Sequence, residues 1–239
     1  MLQICRIATV VLLGTLLAGC PGGVRPPPPA TPTPAPTVPV PIPKAPEVKG
    51  ATLYTVDPAA SDVNVLVYRG GLMARLGHNH VMTAKSVKGK VSLHPDLAKS
   101  GFDLSFPVAE LIVDDAQARK SAGEDFPGEI PQKDRDGTRT NMLKPEVLDG
   151  ERFAYVKLAS VKISGSLQSA QALTRITIKD VSREVEVPVT IVTTPTRVTA
   201  TGQFAIKQTD FGIKPFSIGL GALEVVDQVQ IRFKVVATR

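Results

Sequence analysis

From Leu53 onward the chain alternates apolar and polar residues with a period of two, segment after segment. In "DVNVLVY" Val63, Val65 and Val67 fall on one face of an extended strand. In "REVEVPVTIV" Val185, Val187, Val189 and Ile191 share a face, with Glu184, Glu186 and Thr190 opposite. In "RVTATGQFAIK" Val198, Ala200, Gly202, Phe204 and Ile206 alternate with polar residues, and "LEVVDQVQIRFKVV" sets Leu223, Val225, Val229, Ile231, Phe233 and Val235 in one phase. One apolar and one solvated face mark antiparallel strands, and many of them joined by turns make a sandwich or barrel. The pattern therefore predicts an all-β, antiparallel β-barrel. Asp227 lies in phase with the apolar set of the last strand, which implies a bulge there or a polar group facing inward.

Two stretches break the alternation. Residues 114–143 are long and polar, and predict short helices, one ending before Gly123 and one over residues 138–143. A long insertion in a small β domain is commonly a functional loop or lid. Residues 209–223, "TDFGIKPFSIGLGAL", are rich in glycine and predict a loop at one barrel end.

The first 50 residues follow other rules. Arg6 precedes an apolar run from Ile7 to Leu17, too short to span a bilayer and of the length of a signal-peptide core. The run ends in Leu17, Ala18, Gly19 and Cys20, which resembles the lipobox of bacterial lipoproteins. That resemblance implies cleavage after residue 19, acylation of Cys20 and attachment to a membrane. Residue 21 is Pro, not the Asp that retains enterobacterial lipoproteins in the inner membrane, which points to a periplasm-facing position on the outer membrane. Residues 21–48 are rich in proline, which lacks the N–H that helices and sheet ladders need, so they read as an extended tether. The expected organisation is a leader over residues 1–19, a lipidated cysteine and tether over 20–49, and a barrel domain over 50–239. Cys5 would leave with the leader, so the mature chain could form no internal disulfide.

Composition changes this picture little. The net charge of +6 is scattered and never gathers into a basic stripe interleaved with aromatics, which argues against nucleic-acid binding. Trp is absent and aromatics make up 5% of the chain, so the inward positions carry mostly small aliphatic side chains.

The candidate chemistry is in the histidines. His78 and His80, in "LGHNHVM", are spaced so that one strand face would carry both, and Gly77 suggests a turn where that strand begins. With His94 they would provide three imidazoles and an open position, as a catalytic zinc site requires. No His-Glu-x-x-His helix, no Gly-x-Ser-x-Gly motif and no cysteine ligand accompany them. The alternative is a polar mouth, in which the two rings bond loop backbone or a ligand head group.

Several segments in order resemble the YceI-like family of bacterial secreted, lipocalin-like barrels. They are "YTVDPAASDVNVLVY", "DRDGTRTNMLKPEVLDGERFAYVKLAS", "LTRITIKDVSREVEVPVTI", and "TDFGIKP" followed by "VVDQVQIRFKVVAT". The stretch "RLGHNHVM" is similar to histidine-bearing variants of the family. The resemblance implies a non-catalytic binder, with no cofactor, of a long apolar lipid of polyisoprenoid or isoprenoid-quinone type. The inward residues to contact it are Val65, Val67, Val187, Val189, Phe204, Ile206, Ile231 and Phe233. Two other readings remain at this point: a metal-binding protein or metal-dependent enzyme built on His78 and His80, and a barrel without a cavity that serves assembly.

Overall fold

The computed structural model describes residues 48–239. Its strands are β1 (Thr52–Val56), β2 (Asp62–Val67), β3 (Arg69–Gly70), β4 (His80–Ala84), β5 (Lys88–Leu93), β6 (Gly101–Pro107), β7 (Ile112–Val113), β8 (Tyr155–Ser166), β9 (Ser169–Ile178), β10 (Val181–Thr194), β11 (Arg197–Lys207), β12 (Ser217–Ile218), β13 (Leu223–Val225) and β14 (Gln228–Thr238). Two helices, α1 (Ala116–Ala122) and α2 (Gln132–Met142), lie in the long insertion.

These strands make an eight-stranded antiparallel barrel, as the alternation predicts. Three of its staves are each broken in two. β2 and β1 lie in succession along β14, with Leu66 opposite Gln230 and Val56 opposite Ala237. β4 pairs with β2 while β5 pairs with β1, and β7 pairs with β4 while β6 pairs with β5. β8, β9, β10, β11 and β14 follow in chain order, and β14 returns to the first stave, so the ring closes. Closure removes the free sheet edges that an open meander would expose. The bend between β1 and β2 is held by the buried Ser61, whose hydroxyl donates to Asp57 O at 2.7 Å and accepts from Val236 N at 2.9 Å.

The inward phase is the one that the sequence marks. In β9 Ala170, Ala172, Thr174, Ile176 and Ile178 are all buried, while the residues between them are exposed or half-buried. Gly202 faces in from β11 directly across from Phe233 of β14. A Cβ there would lie 2.3 Å from the Pro188 carbonyl oxygen and 2.7 Å from the Phe233 ring. Glycine is required at 202 by this close approach, and the ring fills the space that a side chain would have taken.

The structure departs from the expectations in four places. The last apolar run is two strands, because the chain turns at residues 226–227. β13 leaves the barrel and joins β12 and β3 in a small three-stranded sheet. Asp227 consequently neither faces inward nor forms a bulge: its carboxylate accepts from Thr209 N at 2.9 Å and Thr209 Oγ1 at 2.7 Å. α2 begins six residues before the predicted start at Thr138, directly after Pro131, which occupies the N-cap position without a side-chain cap bond. Finally, the outer barrel face is not solvated throughout. Leu66 and Val81 point outward and are fully buried with Phe126 beneath the α1 half of the insertion, forming a second small core.

Candidate ligand cavity

The inward side chains leave space along the barrel axis. A chamber of about 270 Å³ lies at the end reached by the last residues of β2 and the first of β4, β8 and β14. A second, of about 120 Å³, lies toward the opposite end. Val63, Leu158, Phe204 and Ile231 border both, so the chambers meet at one layer of side chains. Phe204 is held there edge-to-face against Phe233, with ring centroids 6.3 Å apart.

All eight inward residues singled out from the sequence border this space. Val65, Val67 and Ile206 face the larger chamber, Val187, Val189 and Phe233 the smaller, and Phe204 and Ile231 both. Both walls are overwhelmingly aliphatic because strands rich in valine and isoleucine present one face inward. The larger chamber is bordered at its outer end by the end of α2, by Val147 and Leu148, and by residues from Gln208 to Val225. The insertion and the glycine-rich loop thus frame the mouth.

The polar groups of the site gather at that mouth. His80 opens β4 and borders the larger chamber. Its Nδ1 lies 2.6 Å from Asp114 Oδ2, and its Nε2 lies 3.5 Å from Thr138 Oγ1 on α2. Asp114 is 2% exposed and Arg119 only 3%. The Asp114 carboxylate also accepts from Val81 N at 2.9 Å and from Arg119 Nη1 at 2.7 Å. Arg119 donates further to the carbonyls of Asn79, Pro127 and Gly128. Burial by itself raises the Asp114 carboxyl pKa, but the hydrogen bonds from His80, Val81 and Arg119 and the nearby charge outweigh it and hold it below its ordinary value. An ionised carboxylate accepts only, so Nδ1 of His80 carries a proton and its Nε2 is the ring atom left toward the cavity.

The histidines do not form the site that their number suggests. Only His80 is on a strand. His78 precedes it in an exposed loop, with the ring centroids 6.2 Å apart, so the expectation of two imidazoles on one strand face is corrected. His94 follows β5 at the opposite barrel end, where its Nδ1 accepts from Asp96 N at 2.8 Å and closes a turn. The three rings therefore do not converge. Among the described residues no group of three or more His, Cys, Asp or Glu side chains is placed to hold a metal ion. Cys20, the expected acylation site, lies outside the described residues, as do the leader and most of the tether.

A family model described as the YceI-like domain matches residues 54–237, nearly the whole of the barrel and most of the chain. The chain belongs to the YceI-like family. Among solved structures, Burkholderia cenocepacia BcnA is similar at 20% identity and a TM-score of 0.57, covering 77% of this chain and 99% of that one. A Campylobacter jejuni YCEI protein is similar at 12% identity and a TM-score of 0.43, covering 59% of this chain and 74% of that one. The likeness to BcnA concerns the fold. No protein of established annotation matches this chain. YceI-like barrels are binding proteins that take polyisoprenoids, and no enzyme activity is known for the family.

The YceI-like barrel has cavity-lining residues beyond the eight that the alternation singles out. Met82, Phe106, Val156, Leu158, Ile176 and Ile178 line the larger chamber. Ile176 and Ile178 carry a readable signal, the alternation in "LTRITI". Met142, Val147 and Leu148 carry none, because a helix end and an irregular turn bring them in. Asp114 and Arg119 also escaped notice. Their spacing of five in a polar run looks like ordinary solvated surface, and only the packing of α1 on the barrel buries them.

Proposed function

We propose that this YceI-like protein is a lipoprotein that holds one long isoprenoid-type lipid inside its barrel, as a carrier or a sequestering agent rather than as a catalyst. It would be anchored through acylated Cys20 and face the periplasm from the outer membrane. The observation that carries the reading is the pair of apolar chambers in line along the barrel, meeting at Phe204. Small-ligand sites commonly enclose about 300–1,000 Å³. The larger chamber alone falls just short of that range, so a ligand gains by being long and thin enough to pass Phe204 and use both. Each further methylene buried contributes about 0.8 kcal/mol, which favours a chain that reaches the smaller chamber over one that stops short. The polar atoms at the mouth, His80 Nε2 and Thr138 Oγ1 among them, suit a single oxygen-bearing head group. A uniformly polar ligand would find few partners deeper in.

Organic extraction of the protein purified from its host, followed by mass spectrometry, tests the lipid. One prenyl lipid per barrel is the expected result. Protein that is consistently lipid-free and takes up no prenyl lipid refutes the reading. The anchor is tested separately: Cys20→Ser is expected to leave the membrane fraction, and its retention there after complete leader cleavage would place the anchor elsewhere.

A further inference from the structure

Exposed large apolar side chains are not spread evenly over this barrel. Of the ten among the described residues, six, namely Leu72, Met73, Leu76, Ile218, Leu220 and Val226, come from two segments, residues 71–77 and 216–226. The small sheet of β3, β12 and β13 brings these segments together at the mouth of the larger chamber, and Met73 N donates to Ala222 O at 2.7 Å between them. Leu72 is 98% exposed and Leu220 is completely so. Leu220 also has a φ of +55°, between Gly219 and Gly221, which are both at positive φ. A bulky side chain is disfavoured in that region of backbone space, where glycine is the default residue. Neither burial nor backbone conformation therefore accounts for a leucine there. Clustered, exposed apolar residues of this kind mark a contact outside the chain.

Two further features identify the contact. The inner sides of the same segments, through Gly77, Phe216, Leu223 and Val225, line the larger chamber, so the exposed rim is continuous with the apolar cavity wall. In and beside these segments the charged side chains are Arg69, Arg75 and Lys214 against Glu224 and Asp227, and the Asp227 carboxylate is taken up by its bonds from Thr209. An apolar ring with a basic border is the chemistry that seats a protein in the interface of an anionic bilayer. We propose that this rim docks on a membrane surface carrying anionic lipids, with Leu72 and Leu220 among the acyl chains, so that a lipid can move between leaflet and cavity without crossing water. Such docking needs no bound ligand, so it and the lipid-binding reading can fail separately.

The absence of tryptophan gives a clean test, because a single introduced Trp is the only one in the chain. Leu72→Trp places a probe on the rim. Val192→Trp places one at an exposed site on β10 near the opposite end. The full chain is mixed with vesicles of phosphatidylglycerol and phosphatidylethanolamine, with and without bromine in the acyl chains, after circular dichroism has verified that both variants are folded. The rim probe is expected to shift to shorter wavelength and to be quenched by the bromolipid, while the probe at 192 stays open to aqueous iodide. The proposal is overturned if both probes respond alike, or if the rim probe stays open to iodide on vesicles. It is also overturned if the rim is shielded without vesicles as protein concentration rises, which would make a second copy of the chain its partner.

Discussion

Asp114→Asn is a sharp test of the structure, because it changes one charge and little else. Asp114 has a φ of +55°, a region in which asparagine is as well tolerated as aspartate, so the backbone is not strained further. The amide oxygen can still accept from Val81 N and Arg119, and the His80 ring can adopt the tautomer in which Nδ1 accepts. What disappears is the negative charge facing Arg119, whose side chain is 4% exposed. Breaking a buried ion pair from one side costs about 3–5 kcal/mol. Arg119 keeps three carbonyl acceptors, so the low end applies, about 3 kcal/mol. For a domain of this size that lowers Tm by about 6–12 °C. The assay is thermal and urea unfolding of both proteins with an unchanged urea slope. The double variant Asp114→Asn/Arg119→Met removes the lone buried charge but also the bonds to Asn79, Pro127 and Gly128, so it should recover only part of the loss. The pH dependence supplies a second check. The folded-state carboxyl titrates below its ordinary value near 3.8, so its contribution is complete above that value and is lost as pH falls through the lower folded one. The gap between wild type and Asp114→Asn should therefore close in that acid range. A loss below about 1 kcal/mol, or a gap unchanged down to strong acid, would refute the role assigned to this pair.

Three further changes probe other parts of the barrel. Gly202→Ala should destabilise by about 1–3 kcal/mol in urea unfolding, because its Cβ would meet the Pro188 carbonyl and the Phe233 ring; a neutral result would show that the two strands can part there at no cost. Val187→Trp should fill the smaller chamber, costing about 1–3 kcal/mol and shortening the longest prenyl lipid retained in native mass spectrometry. Asp227→Ala should cost about 1 kcal/mol through the lost bonds from Thr209, and should raise amide exchange in residues 209–213 ahead of the rest of the barrel.

What could be read from the sequence is whatever period two controls. Residues 63 to 67, 185 to 191 and 198 to 206 each present one face to a common interior, and antiparallel strands of that number close into a barrel. What could not be read depends on contacts between distant segments. The bend at residues 57–61 and the step between β4 and β5 place successive strands on one stave, which only the sharing of one edge of β14 by β1 and β2 reveals. Leu66 and Val81 stand on the face that alternation assigns to solvent, and only α1 and Phe126 reveal why both are apolar. His78 and His80 look equivalent in "GHNH", yet Asp114 selects one of them, and no local rule announces a partner 34 residues away.

The same division explains how the mouth is built. A barrel of short aliphatic side chains would offer an apolar slot open at both ends and indifferent to which end of a ligand enters first. The insertion breaks that symmetry at one end only. Its first half is clamped to the outer wall by Phe126 and by the Arg119 bonds, and its second half delivers Thr138, Asn141 and Met142 over the larger chamber. Asp114 stands at the junction. Its Oδ1 fixes α1 through Arg119 and the strand end through Val81, and its Oδ2 orients His80 beside Thr138. Of the two imidazoles that border the larger chamber, His78 and His80, the latter is thus held by the residues that hold the insertion down. Loosening the clamp should therefore move the polar mouth and the stability together, whereas changes at Val187 or Gly202, deeper in the barrel, should leave the mouth in place.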